Sequence, residues 1–519
     1  MNKIIRNIAI AAMAGISVSC SDFLEEYSQD LAKVETWKDL DELLLGDGHF
    51  SSSRYYIENY AAYTDQTSNL DIIHFMSDEM KENPNAQKTA DRIGYQTRIF
   101  PFYTWQKDTG MDEDGKYVGG DAQYWNELYE YINITNIVLS QIDDMPENNQ
   151  DDKNGKERVK GEACFLRAAY YFMLVNLYAQ PYTPATAAST QGVPVKLTEY
   201  IEDKEFFRSS VKEVYEYILD DLEQAEKLLD RKARTSIYHP NKVAVNLLQS
   251  RVYLYMQDWK KAAEYARKVI DVQPDLLDLH AVSVGKNILS KDSPETIFSM
   301  GGYLVAIAFA DDPSRWGNEP PVYYVSDDMM KLYQRNDLRS KLYVGKSYAG
   351  FSPVFTKVDG QQTAFGTYFD VSDCFLYRTS EAYLTLAEAS AYDGDETTAQ
   401  DFLEKFLDTR LEEKSSVTQT GNELVDFIRD ERARELLLEG HRWFDLRRYT
   451  VCSPYPYSKT IEHGHVYYDG SDPEYTDYYR LETNDPAYTL PVPREILDFQ
   501  ISLGTQARPD RKPIRKEIY

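Results

Sequence analysis

Residues 240–270 read PNKVAVNLLQSRVYLYMQDWKKAAEYARKVI, and the reading of this stretch decides the fold. Val245, Leu248, Val252 and Tyr255 recur at helical spacing, Gln257 and Asp258 make a polar break, and Ala262, Ala263, Ala266, Val269 and Ile270 form a second apolar stripe. The pattern predicts two amphipathic helices joined by a tight turn, with small alanines letting the pair approach closely.

The same plan repeats outward from this unit. Residues 210–229, SVKEVYEYILDDLEQAEKLL, put Val211, Val214, Ile218, Leu222, Ala225 and Leu229 on one stripe. Residues 380–410 give Tyr383, Leu384 and Ala387, a turn at Asp393 and Gly394, then Ala399, Phe402, Leu403, Phe406 and Leu407. An earlier pair spans Tyr124–Ile142 and Lys156–Tyr182. Helix, turn and alanine-rich helix in unevenly spaced units resemble tetratricopeptide repeats. The expected fold is therefore mainly α, a tetratricopeptide-like helix-pair scaffold. Ser51–Asn69, Gln87–Asp121, Pro181–Lys204, Ala281–Pro321 and Ser453–Pro486 read as long loops, and loops of that length are usually functional.

Composition narrows the partners. The formal charge is −28 over 519 residues. Nucleic acid and anionic membrane surfaces are poor partners for such a chain, because both require clustered Lys and Arg. The chain has 42 tyrosines and 25 glycines; glycine alone averages about 7% of a globular protein, so this balance is unusual. Tyrosine joins an apolar ring to a polar tip, which suits wet interfaces, sugar surfaces and helix packing alike. Cys164, Cys374 and Cys452 lie far apart with no C-x-x-C pair, and buried structural thiols are expected, with one disulfide as the alternative.

The chain begins MNKIIRNIAIAAMAGISVSCSDFLEE. Lys3 and Arg6 precede an apolar run, Ile8 to Val18, that is too short to span a bilayer. Ser17, Val18 and Ser19 lead into Cys20, which resembles a bacterial lipoprotein signal with Cys20 as the lipidated first residue of the mature protein. The alternative is an ordinary cleaved signal that leaves Cys20 as a free thiol. No later apolar run is long enough for a membrane-spanning helix, so attachment would come from the lipid.

The most specific stretch is RDERARELLLEGHRWFDLRRY, Arg429 to Tyr449. It resembles the signature of the SusD/RagB family, surface nutrient-binding lipoproteins of Bacteroidota outer membranes. SDFLEE after Cys20, LRAAYYFMLVNLYAQPY, DDMMKLYQRNDLRSKLY, YRTSEAYLTLAEA and LPVPREIL agree, so the resemblance spans essentially the whole chain. Residues 500–514, QISLGTQARPDRKPI, depart from the family's usual short ending. The resemblance implies a signal peptide at 1–19, an N-terminal SusD-like region at 20–230 and a RagB/SusD region at 231–519, packed into one globular unit. It also implies a non-enzymatic protein without cofactors, lipid-anchored and surface-exposed at the outer membrane. Such a protein captures oligosaccharide or polysaccharide and hands it to a SusC-like TonB-dependent transporter. A peptide-binding member of the same family and, further off, a glycoside hydrolase are the alternatives.

Within the signature, a helix is expected to stop near Gly440. Its dense charges read as Arg–carboxylate pairs tying helices together, in preference to a Glu439/His441 acid–base pair. Ligand-binding candidates are loop aromatics with polar neighbours: Trp316 with Arg315 and Asn318, Tyr303, Tyr63 with Asp65 and Asn69, and Trp105. Trp37, Trp125, Trp259 and Trp443 are assigned to the core. Two metal readings are weaker: a calcium-like spacing at Asp112, Asp114, Gly115 and Asp121, favoured as a solvated acidic turn, and His463, His465 and Asp469. No H-E-x-x-H, G-x-S-x-G or P-loop occurs.

Overall fold

Asn241 begins the unit at 240–270 by accepting the backbone N–H groups of Val243 and Ala244 at 3.0 Å each, and Asp258 restarts it by accepting from Lys261 N–H at 3.2 Å. Between the two helices Gln257 takes a left-handed backbone, φ 64°, which turns the chain in the space the polar break predicted. The structure is a computed structural model, and it describes residues 34–50, 72–86, 90–229, 236–301, 321–346, 352–358, 361–363, 366–368, 371–372, 374–470 and 472–519.

The helices used below are α1 (Ile72–Met76), α2 (Ala90–Tyr103), α3 (Gln123–Gln141), α4 (Gln150–Tyr178), α5 (Val211–Leu228), α6 (Lys242–Tyr255), α7 (Trp259–Val272), α8 (Thr379–Asp393), α9 (Glu396–Leu407), α10 (Gly421–Glu435) and α11 (Arg442–Thr450). The strands used below are β1 (Met80–Glu82), β2 (Tyr323–Val325), β3 (Ile461–Asp469), β4 (Asp472–Leu481) and β5 (Arg515–Ile518). From α3 to α9 each long helix packs against the next, and α8 also carries α10 on its flank. The fold is the mainly helical, helix-pair scaffold that the apolar stripes predict. One continuous apolar core runs from Leu40 to Leu503 and includes Tyr170, Tyr171, Trp125 and Trp443, with Trp37 and Trp259 packed at its edge. The three internal cysteines are buried.

Three loop readings are corrected, the first because Thr296–Phe298, within Ala281–Pro321, is a strand paired with Tyr377–Arg378. Part of Gln87–Asp121 is α2, a helix that accommodates Pro101 in its last turn. Part of Ser453–Pro486 is the antiparallel hairpin β3–β4, which β5 extends to three strands through pairs such as Tyr478↔Arg515. β5 follows directly on the C-terminal departure at 500–514.

Candidate functional site

The signature is two helices and a turn. α10 ends at Glu435, five residues before the expected stop, and Leu438 (φ 57°) and Gly440 (φ 87°) swing the chain into α11. Its acids and bases are buried and paired. Arg378 donates to Glu439 at 2.7 Å, Glu435 at 2.6 Å and Glu295 at 2.9 Å, and Arg410 reaches Glu295 at 2.7 Å and Glu435 at 2.9 Å. Lys357 Nζ bonds Glu439 at 2.6 Å and the carbonyls of Glu435 and Leu437. Burial lowers the Lys357 ammonium to about 8, against the opposing pull of Glu439. Burial, with Arg251 and Arg432 nearby, drives the His441 imidazole well below its ordinary range and holds it neutral. Glu439 is therefore a counter-ion to Lys357 and Arg378, as the pairing reading expects.

This network reaches across the chain to fix one strand. Arg442 clamps Asp78 at 2.7 and 2.8 Å, Lys459 meets the same carboxylate at 2.7 Å, and Leu438 N–H donates to Glu79 at 2.7 Å. Burial opposes the charge on Asp78, but Arg442 and Lys459 outweigh it and hold the carboxyl far below its usual value. β1 follows directly, pairs with β2 and lies against β3. Glu82 ties that contact: it accepts Val466 N–H at 2.8 Å and lies 2.9 Å from His465 Nδ1.

Between the β1–β2 ribbon and the hairpin face opens a cleft of about 760 Å³. One wall is Met80 to Asn85 with Tyr324, Ser326, Asp327 and Asp328; the other is Glu462, Gly464, Val466, Thr476, Tyr478 and Arg480. Gly464 is required here, because a Cβ would stand 2.8 Å from Thr476 Cγ2 and 3.0 Å from the Tyr478 ring. Arg515 covers the other side of that ring at 3.4 Å. The cleft is thus polar. Lys81 bonds both oxygens of Asp327 at 2.8 Å, and Arg480 and Arg515 meet Glu462 at 3.1 and 3.0 Å. Asp78, Asp328 and Glu462 are all shifted downward by their cationic partners after burial has worked the other way. A glycosidase's general acid needs the opposite shift.

The sequence did not single out this cleft; its walls come from four distant stretches. Of the candidates it did single out, Trp105 is described and is corrected to a core residue. At the end of α2 its backbone turns left-handed, φ 53°, its ring stacks on His463 at 4.4 Å, and its indole N–H donates to Met76 O at 3.0 Å. Tyr63, Asp65, Asn69, Tyr303, Arg315, Trp316, Asn318 and Cys20 lie outside the described residues.

The metal readings do not assemble. Asp112 accepts its own turn's N–H groups from Asp114 and Lys116, whereas Asp121 is taken by Tyr117 O–H and Arg494 N–H. His463 is buried between Tyr103 and Trp105 and lowered to about 4 by that burial. His465 is held between Glu82 and Glu113, which override burial and raise it to about 10. Among the described residues Asp41, Glu162 and His239 bring ligand atoms within 4.8 Å of one another, but Arg158 already bonds Asp41 and Glu162 there. No described helix is long and apolar enough to cross a membrane.

The site is thus a polar cleft carried on a scaffold of paired helices. Residues 49–254 match the family described as starch-binding and associating with the outer membrane, and residues 343–502 match the SusD family. The chain belongs to the SusD/RagB family. A SusD-like protein of Formosa agariphila is 24% identical over 385 residues, covering 62% of this chain and 71% of that one. A SusD-like protein of Bacteroides ovatus is 21% identical over 62% of this chain and 64% of its own length. In fold, the chain is similar to a SusD superfamily protein of Bacteroides thetaiotaomicron (TM-score 0.65, 21% identity, 91% of this chain and 100% of that one). It is also similar to a SusD-like carbohydrate binding protein of Bacteroides vulgatus (TM-score 0.62, 19% identity, 90% and 97%).

Proposed function

We propose that this protein is a glycan-binding lipoprotein of the outer-membrane surface, held by lipid on Cys20, which captures oligosaccharide and delivers it to a SusC-like TonB-dependent transporter. One observation carries the capture step. The two segments that hold the loop candidates, 51–71 and 302–320, leave the described fold side by side, where Phe50 N–H donates to Met300 O at 3.0 Å. They rejoin it side by side, where Phe75 of α1 packs on Tyr323 of β2 with ring centroids 4.8 Å apart. The described residues that flank these segments are thus neighbours at both ends, and the second pair of ends adjoins the cleft wall formed by β1 and β2. Pro321 O accepts from Asn83, a cleft residue, at 2.8 Å.

Aromatic faces from these segments stack on sugar rings, and Asp, Asn and Arg bond the hydroxyls. The family's description as starch-binding and outer-membrane-associated supports the reading. The downward-shifted cleft carboxyls and the ion-paired Glu439 support capture without hydrolysis. Calorimetric titration of the mature protein against a panel of neutral oligosaccharides, with product analysis of the same mixtures, tests the proposal. Binding with the sugar recovered intact is expected. Binding of peptides alone, or release of shortened sugars, contradicts it.

A further inference from the structure

Four large apolar side chains stand in solvent on two segments that are bonded to each other. Ile201 and Phe207, on the chain between α4 and α5, are 97% and 66% exposed, and Phe499 and Ile501, at and just beyond the end of the short helix Arg494–Phe499, are 87% and 82% exposed. Phe206 N–H donates to Gln500 Oε1 at 3.0 Å, and Ser502 Oγ donates to Phe206 O at 3.2 Å. Phe206, Ile496 and Leu497 pack inward against the core, so the bare side chains sit on anchored backbone. The base of the first segment is equally fixed: Asn136 of α3 donates to Lys196 O and Thr198 O at 3.1 and 3.2 Å, and Arg208 donates to Gly192 O at 2.6 Å. None of the four apolar residues lines the cleft. A whole aromatic side chain has about 200 Å² of surface, so Phe207 and Phe499 alone leave on the order of 300 Å² bare. Ile201 and Ile501 carry the patch beyond what monomers commonly show.

The charges around the patch select its partner. Residues 196–208 and 494–501 carry six acids and four cations. Among the described residues no cation pairs with Asp203, Glu205 or Asp498, all of them exposed. The cations are engaged: Lys204 pairs with Glu202 at 2.6 Å, Lys196 bonds Asn133 and the Thr198 carbonyl, Arg208 bonds the carbonyls of Gly192 and Tyr178, and Arg494 lies over the Tyr117 ring at 4.6 Å. A second copy of the chain would set like rims against each other, and anionic lipid headgroups would meet the same acids. We infer that this surface docks another protein, one whose facing surface is apolar at its centre and basic at its rim; resting on the transporter reading of the function, that protein is the SusC-like transporter.

The test measures binding of the mature protein to the transporter purified in detergent, for wild type and two double variants, Phe499→Ser with Ile501→Ser and Asp203→Lys with Glu205→Lys. All four substituted side chains are exposed, so both variants are expected to melt as wild type does. The apolar pair is expected to weaken binding at least tenfold, through faster dissociation. The charge-reversed pair is expected to associate more slowly at low salt, a difference that high salt removes. An apolar pair that binds like wild type overturns the inference, as does a charge-reversed pair that associates as fast as wild type. Self-association of the wild type, or its binding to phosphatidylglycerol vesicles, overturns the choice of partner if the apolar pair abolishes it. A wild type that does not bind the transporter at all overturns the transporter reading, and this surface's occupant with it; unchanged binding by the variants overturns the surface alone.

Discussion

Glu439 shows why a buried carboxylate beside a histidine is not by itself an acid–base pair. It faces Lys357 at 2.6 Å and Arg378 at 2.7 Å, so Glu439→Gln leaves two buried cations short of a counter-charge. Denaturant unfolding of that variant is expected to show a loss of about 3 to 5 kcal/mol; a fully stable variant that had lost a hydrolytic rate would contradict the assignment. His465 makes a second prediction. Its folded value of about 10 lies above the ordinary value, about 6.5, that it regains on unfolding. The contribution is therefore complete below pH about 6.5 and is lost as pH rises through about 10. Stability measured across that window should fall more steeply for wild type than for His465→Gln, and parallel curves would show that the Glu82 and Glu113 pairing adds nothing. Trp105 marks the limit of sequence reading at this scale. FPFYTWQKD looks like an exposed loop, but the left-handed turn at Trp105 folds the indole under α2, and that turn depends on contacts with Met76 and His463.

Among elements, those with an apolar helical period were legible and those without it were not. α6, α7, α8 and α9 fall where the stripes and the breaks at Gln257–Asp258 and Asp393–Gly394 put them. The hairpin was missed because its inward positions include His463 and His465, polar residues that hide a period of two, and because Tyr and Asp crowd both strands. The end of α10 was misplaced because Gly440 is a stop residue by type, whereas the helix had already closed at Glu435 to let Lys357 reach the carbonyls of Glu435 and Leu437. Two glycines with left-handed backbones separate conformation from packing. Gly394 (φ 86°) has open space where a Cβ would go, and Gly394→Ala is expected to cost about 1 to 2 kcal/mol. At Gly440 (φ 87°) a Cβ would stand 2.7 Å from Cys374 Sγ and 2.8 Å from the Phe375 ring, so overpacking adds a further 1 to 3 kcal/mol or so. Equal melting temperatures for the two variants would mean that the signature turn is not packed as described.

At the scale of the molecule, the ion-paired signature holds Asp78 and Glu79, these fix β1, and β1 forms one wall of the cleft. The family and its helical frame were readable from the chain because they rest on local patterns. The cleft was not, because Lys81, Asp327 and Glu462 meet only through long-range packing of β1, β2 and the hairpin. Under the proposed function, aromatic side chains of residues 51–71 and 302–320 capture sugar, and Trp316 is the first of them to test. Stacking of an aromatic face contributes on the order of 0.5 to 1.5 kcal/mol beyond buried area, and about 1.4 kcal/mol is tenfold in affinity. The most direct measurement is the affinity of wild type and Trp316→Ala for the best neutral oligosaccharide, read alongside their melting temperatures. A loss of about tenfold or more with an unchanged melting temperature is the predicted result; unaltered binding with a large fall in melting temperature would contradict it and make Trp316 a packing residue.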